Sequence, residues 1–491
     1  MAAGGGFAGE VGKDQVFVRT ESGFEGAVEV LEVAVHGPYI TATVRIPYLD
    51  IRGEPASVLA RVMARHDLVA SGVPLPAFCN VYYEPFIDEI PGPEHWCDRG
   101  WAVAAPHYPP DDAPPAPETL GIANGVNHTC ALIQWVRRLP LVDRKRIHLN
   151  GASQAGYMVL AASAFSFPVV SATSFYPVVN WSYNLAYFEA NRAASGYPEI
   201  PAVDSPMPVM RHISAIIEMP QPLFGADFAA DPYYAVSPVA YPDRITTPTL
   251  VVCATGDMLA PVAQMDPDRE PVLEPSVYPE GYVRDFKTLT IGSRANQPFE
   301  KLLAPDALWT ASLPVPEGMA EVQLDEILGR APYPEKGYTE RAALPWSAEH
   351  QWSICCLDEG PPLPHSGHTR CHWRLAFDDF IEAHRGKDMP AELLTPAKLV
   401  VLMKRYTGKR LAPPIMLTDG TALNRRNFGA VERRDVLTGL LDYAQTDRDH
   451  LERLQALYEA LPSDLQAFGA AVSLDALAQA LDRELPETET P

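Results

Sequence analysis

The chain has 491 residues, a formal net charge of −23 and an isoelectric point near 4.9. The sequence has no stripe of Lys and Arg residues. This argues against a nucleic-acid partner, because phosphate binding needs clustered basic side chains. No stretch approaches ~20 continuous apolar residues and no basic and apolar signal pattern occurs at the start, so we expect a cytoplasmic protein with no membrane partner. The seven cysteines are odd in number and dispersed, which predicts buried thiols rather than a disulfide framework.

Strand and helix patterns alternate along the first half of the chain. β-Branched residues around a His-Gly-Pro break predict an antiparallel strand pair over residues 28–47. Further strands are predicted at residues 75–83, 101–106, 170–176 and 249–254, with an amphipathic helix at 118–138. Because strands that alternate with helices pair in parallel, the predicted fold class is α/β, with a doubly wound and mostly parallel sheet.

A serine stands where a predicted strand turns directly into a predicted helix. The segment is Gly151-Ala152-Ser153-Gln154-Ala155-Gly156. This is the layout of a nucleophile elbow, in which small residues two positions before and after the serine let the backbone turn sharply. Ala155 replaces the usual glycine at the second small position, and its size still suits the turn. We therefore predict that Ser153 is a nucleophile.

A serine hydroxyl needs a base that takes its proton and an acid that orients the base. In elbow-type hydrolases the chain order is Ser, then Asp or Glu, then His. Asp257 suits the acid because an apolar strand ends in Gly256-Asp257.

Three histidines compete for the role of base. They follow a predicted last strand at residues 352–357 and precede a predicted helix at 373–384. His368 is preferred because its Gly-His-Thr setting leaves the backbone free to aim the ring. His372 falls at the helix start, and His365 stays an alternative. If residues 283–292 were the last strand instead, no histidine would follow closely.

Negative charge on the carbonyl oxygen of a substrate needs two hydrogen-bond donors. The backbone N–H of Gln154, one residue after the nucleophile, is the first by the geometry of the elbow. The second is expected from the loop after the strand at 75–83, where Tyr83 offers its hydroxyl or a nearby N–H. A tyrosine packed in the core is the alternative interpretation of Tyr83.

Four segments resemble the α/β-hydrolases, in the branch that holds prolyl oligopeptidases, dienelactone hydrolases and X-prolyl dipeptidyl peptidase or cocaine-esterase-like enzymes. They are residues 76–86, 98–103, 143–165 and 234–261. The resemblance implies the α/β-hydrolase fold and a serine hydrolase that cleaves an ester, with an amide or peptide bond as the alternative. It also implies that a tyrosine after the early strand, such as Tyr83, completes the oxyanion hole.

Insertions are predicted to interrupt the core. We expect core segments at 25–176, 241–264 and 351–386, a cap at 177–240, an insertion of unassigned role at 265–350 and a C-terminal helical region at 390–491. Cap aromatics, above all Trp181 and Tyr183, are predicted to contact a small-molecule substrate, or else to hold the cap to the body. The C-terminal helices are predicted to dock on the body or to form a homodimer contact.

Two other functions use the same residues. A zinc site would draw on a cluster within eighteen positions: Cys355, Cys356, His365, His368, Cys371 and His372. Adjacent cysteines in a strand point to opposite faces, unlike the spaced pairs of structural zinc sites, so we expect neither a metal nor another cofactor. The remaining alternative is an α/β-hydrolase scaffold without hydrolysis, such as an acyl transferase, a cyclase or a binding protein.

Overall fold

The computed structural model describes the sheet and the helices that pack on it. The described residues are 28–52, 54–81, 93–106, 121–166, 168–192, 213–254, 257, 259–265, 307–314, 351–358, 373–394, 415–416, 422–423, 452–453 and 456. Within this part of the chain, every helix is too short or too polar to cross a bilayer.

The chain enters the sheet through three antiparallel strands, β1 (Glu29–His36), β2 (Tyr39–Leu49) and β3 (Pro55–Arg65). Side chains of β2 alternate between buried and partly exposed positions over most of its length, because one face of the strand packs on the core. The predicted antiparallel pair is confirmed. β3 was not predicted, because Arg61 and Arg65 interrupt its apolar alternation.

Seven strands of the parallel part follow: β4 (Leu75–Asn80), β5 (Ala102–Pro106), β6 (Val142–Ala152), β7 (Ser171–Phe175), β8 (Thr249–Ala254), β9 (Ala307–Pro314) and β10 (Trp352–Asp358). The ten strands lie in the order β1-β2-β3-β5-β4-β6-β7-β8-β10-β9. In this sheet order, all neighbouring strands from β5 through to the edge strand β9 are parallel. The pairing of β5 with β3 is antiparallel. The chain runs from β4 out to β5 and then crosses back to β6 on the other side of β4. This reversal makes the sheet doubly wound, and the predicted fold class is confirmed.

Nine α-helices lie within the described residues: α1 (His66–Ala70), α2 (Pro93–Asp98), α3 (Val126–Arg138), α4 (Gln154–Phe165), α5 (Trp181–Asn191), α6 (Ile213–Glu218), α7 (Gln221–Phe224), α8 (Asp231–Ala235) and α9 (Trp373–Arg385). They cover both faces of the sheet. In β4, Ala77 and Cys79 belong to an apolar cluster with α3 and α4. Phe78 between them belongs to a second cluster with Trp96 of α2 and Ile381 of α9. Successive residues of a strand point to opposite faces, so the two clusters lie on opposite sides.

Two regions differ from the sequence prediction in their elements. Within 265–350, predicted to be an insertion, β9 forms the outer edge of the main sheet beside β10. The strand considered at 283–292 lies outside the described residues. Within 390–491, predicted to be helical, β11 (Ile415–Met416) and β12 (Ala422–Leu423) form an antiparallel ladder. The long helices predicted there, and the dimer contact assigned to them, lie outside the described residues apart from three helical positions. The domain bounds stay predictions.

Candidate active site

Ser153 occupies a sharp turn between β6 and α4. Its backbone has φ 60° and ψ −124°, and its side chain is partly exposed. Among the described residues, Tyr176 is the only other non-glycine residue with a positive φ. Such a conformation is strained for a residue with a Cβ, and it is the conformation that a nucleophile elbow requires. The predicted strand, turn and helix around Ser153 are therefore present.

The glycines of the elbow are required by contacts with backbone. A Cβ on Gly151 would lie 2.5 Å from the carbonyl oxygen of Ala155 and 2.9 Å from its methyl carbon. A Cβ on Gly156 would lie 2.9 Å from the carbonyl oxygen of Phe175, at the end of β7. All three separations are shorter than real Cβ contacts. Gly151 therefore permits the turn itself, and Gly156 permits α4 to approach the neighbouring strand.

Hydrogen bonds hold the elbow on both sides. The N–H of Ser153 donates to the carbonyl of Phe175 at 2.7 Å, and the N–H of Tyr157 donates to the carbonyl of Ser153 at 3.2 Å. Gln154 is the first residue of α4, and the first N–H groups of a helix have no acceptor within the helix. The side-chain Oε1 of Gln154 accepts the N–H of Gly121. This contact anchors the residue whose backbone N–H was predicted to bind an oxyanion.

Tyr83, the other predicted oxyanion donor, lies outside the described residues. The strand before it is described: β4 ends at Asn80, which pairs with Asn150 of β6 in a parallel register. The chain therefore leaves β4 at the same edge of the sheet as Ser153, on the neighbouring strand.

Asp257 follows β8 at this same edge. β7 separates β6 from β8, so the two strands that carry the candidate nucleophile and acid lie about 10 Å apart. Asp257 is buried, at 4% exposure. Its Oδ1 accepts the N–H of Leu259 at 2.8 Å and the N–H of Ala260 at 2.9 Å. These two bonds fix the orientation of the carboxylate.

The three candidate bases, His365, His368 and His372, lie outside the described residues, as do most ligands of the zinc alternative. The elements on either side of them are described. β10 lies beside β8 and ends at Asp358. α9 begins at Trp373 and packs against β6 and β7. In the described part of the chain, no group of three His, Cys, Asp or Glu side chains could hold a metal ion.

The predicted substrate-contacting aromatics lie in α5, directly after the β7 loop. Trp181 and Tyr183 are 3% and 4% exposed and belong to the main apolar cluster. The indole of Trp181 meets the ring of Tyr157 edge to face, at 5.3 Å between centroids and 87°. The backbone N–H of Trp181 donates to Oγ of Ser237 at 2.9 Å. Both aromatics are therefore packed in the apolar core, and their contact with a substrate stays a prediction.

Two buried amides near the acid were not predicted. Gln264 and Asn184 hydrogen-bond across the segments that follow β7 and β8. No local motif marks either residue, because their partners lie between 75 and 87 positions away.

Comparisons with known proteins found no matching family and only distant similarity to solved structures. No family model matches the sequence, and no curated protein matches it. Among solved structures, the chain is similar to acetyl xylan esterase 1 from Thermoanaerobacterium sp. JW/SL YS485, at 16% identity and TM-score 0.32, over 50% of this chain and 77% of that chain. It is also similar to an acylaminoacyl peptidase of Pyrococcus horikoshii, at 14% identity and TM-score 0.32, over 49% of this chain and 42% of that chain. A third is an acetyl xylan esterase from Paenibacillus sp. R4, at 18% identity and TM-score 0.31, over 48% of this chain and 74% of that chain. The match spans less than half of the peptidase, and at these TM-scores it assigns neither substrate nor activity.

Proposed function

We propose that the protein is a serine hydrolase that cleaves a carboxylic ester of a small molecule through an acyl-enzyme on Ser153. Asp257 is the proposed acid and His368 the proposed base. The observation that carries the proposal is the backbone of Ser153, with φ 60° at a turn from a parallel strand into a helix. A conformation of this kind costs about 1–3 kcal/mol and persists where the surrounding structure compels it. The buried carboxylate of Asp257 at the same sheet edge supports the assignment.

The proposed reaction has two halves. Oγ of Ser153 attacks the carbonyl carbon while the imidazole of His368 takes the hydroxyl proton. The tetrahedral intermediate collapses, the bond to the leaving oxygen breaks, and His368 returns the proton to that oxygen. A water molecule, deprotonated by the same imidazole, then attacks the acyl-enzyme. Release of the carboxylic acid regenerates the hydroxyl of Ser153.

Asp257 and the oxyanion donors support these steps. A carboxylate whose Oδ1 is held by two N–H groups keeps one orientation, which suits the task of orienting an imidazole and stabilising its charged form. The N–H of Gln154 at the start of α4 adds the positive end of a helix dipole to its hydrogen bond. Tyr83 is the proposed second donor, and Trp181 and Tyr183 are proposed contacts of an apolar substrate group.

A fluorophosphonate probe, which labels activated serines, tests the proposal. We expect labelling of the wild type, no labelling of Ser153→Ala, and full labelling of Ser163→Ala. Ser163 is a matched control because it lies in the same helix and is 1% exposed. If folded wild type takes no label, the non-hydrolytic scaffold is the better description.

The base and the bond are distinguished by turnover. Replacing the true base by Ala should lower kcat on the order of 10³-fold or more, so His368→Ala and His365→Ala are compared on p-nitrophenyl acetate. Unchanged turnover in His368→Ala would reject that residue as the base. A p-nitroanilide of the same acyl group then separates ester cleavage from amide cleavage, and the peptidase alternative predicts that the anilide is cleaved.

A further inference from the structure

A buried glutamine ties the loop of Asp257 to the segment after β7. Gln264 lies seven positions after Asp257 and is 1% exposed. Its Oε1 accepts the N–H of Val179 at 2.9 Å and the N–H of Asn180 at 3.2 Å. Its Nε2 donates to the carbonyl of Pro177 at 3.1 Å. One amide therefore satisfies three backbone groups of the segment that follows β7.

The segment that Gln264 binds is itself bonded to the nucleophile. Phe175, the last residue of β7, accepts the N–H of Ser153 at 2.7 Å. Tyr176 follows with φ 47°, so the backbone bends sharply before Pro177. Backbone and side-chain hydrogen bonds therefore lead from the elbow, through residues 175–180, to Gln264 and the loop of the acid.

Asn184 in α5 provides a second link to the same loop. Its Nδ2 donates to the carbonyl of Leu259 at 2.7 Å, and Leu259 donates its own N–H to Oδ1 of Asp257. Asn184 is fully buried. The peptide units next to Asp257 are therefore held by α5, while Gln264 holds the far end of the loop.

We propose that Gln264 is a positioning residue that sets the placement of Asp257 relative to Ser153, with Asn184 as a second support. The inference rests on the proposed serine-hydrolase function. A catalytic constellation has to be held within about 0.5 Å of its productive geometry, and this is achieved by neighbours that are themselves locked by hydrogen bonds. In the described part of the chain, the pairing of β7 with β8 ends at Phe175 and Val252. The amide of Gln264 supplies the bonds between them.

The test compares two buried glutamines changed to the same apolar residue. Gln264→Met keeps the volume and loses all three hydrogen bonds. Gln134→Met is the matched control, since Gln134 of α3 is 1% exposed and neither of its amide atoms has a hydrogen-bond partner among the described residues. With p-nitrophenyl acetate as substrate of the full chain, we expect kcat of Gln264→Met to fall on the order of 10- to 100-fold with KM nearly unchanged. For Gln134→Met we expect both constants to equal those of the wild type.

Asn184→Leu serves as the second variant, because it removes the hydrogen bond to Leu259 and keeps the number and branching of the side-chain heavy atoms. We expect its kcat to fall by less than that of Gln264→Met, again with KM unchanged. If Gln264→Met folds and retains wild-type kcat, or lowers kcat only in proportion to its folded fraction, the positioning role is overturned. If Gln264→Met does not fold, Asn184→Leu decides: lower kcat at unchanged KM supports the role, and unchanged kcat rejects it.

Failure of the underlying function gives a different result. In that case the wild type itself shows no turnover that depends on Ser153, and both proposals fall together. Turnover that Ser153→Ala abolishes, combined with an unaffected Gln264→Met, rejects the positioning role alone.

Discussion

The strain at Ser153 leads to a prediction about stability that is independent of any substrate. Ser153→Ala removes the hydroxyl but keeps the Cβ, so the cost of φ 60° remains. Ser153→Gly removes that cost, about 1–3 kcal/mol. Glycine gives back about 0.5–1 kcal/mol because it gains freedom in the unfolded chain. The Gly variant should therefore be more stable than the Ala variant by about 1 kcal/mol, although both should fail to bind the fluorophosphonate probe.

Urea unfolding of the purified variants measures the difference. At a slope near 3 kcal/mol per molar urea, about 1 kcal/mol moves the midpoint by roughly 0.3 M, with equal slopes for the two variants. Ser163, inside the same helix, supplies the control: there the Gly variant should be less stable than the Ala variant by about 1 kcal/mol, because glycine is a poor helix former. If Ser153→Gly has a lower urea midpoint than Ser153→Ala, as is expected for the same two substitutions at position 163, the strain at Ser153 is refuted.

Three further predictions concern packing and titration. Gly151→Ala places a Cβ 2.5 Å from the carbonyl oxygen of Ala155, so we expect about 1–3 kcal/mol lower stability by urea unfolding and slower probe labelling; wild-type values would show that the turn relaxes freely. Burial lowers the pKa of His128 from 6.5 to about 4, so the imidazole is protonated in the unfolded chain at a higher pH than in the folded protein. The free energy of unfolding therefore has its full value above pH 6.5 and falls by up to about 3 kcal/mol as the pH decreases to 4. His128→Gln should show a flatter stability profile between pH 4 and 7, and parallel profiles would contradict the assignment. Burial raises the pKa of Cys79 to about 12 and raises that of Cys97 as well, so iodoacetamide should modify these thiols in urea but not in the native protein, as measured by peptide mass spectrometry.

The sequence by itself determined the elements whose signals are local. Period-two alternation marked β1 and β2, and apolar runs marked β5 and β8, because the faces of a strand impose a pattern within a few residues. The turn at Ser153 could also be predicted, since it depends on small residues two positions before and after the serine. Asp257, the proposed acid, was reached from the chain order Ser, Asp, His and from its position after a strand. The three candidate histidines were reached in the same way, and Tyr83 from its place at the end of the strand predicted at 75–83.

Only the tertiary structure decided the features that depend on distant neighbours. Gly156 is explained by the carbonyl of Phe175 on the next strand, a contact that spacing in the sequence does not reveal. β9 joins the sheet by pairing with β10, although its own segment carries little strand signal. The role of Gln264 depends on backbone groups 84 to 87 positions earlier. In the sequence, Gln264 looks like any other glutamine, because its role depends on the backbone groups that the fold brings next to it.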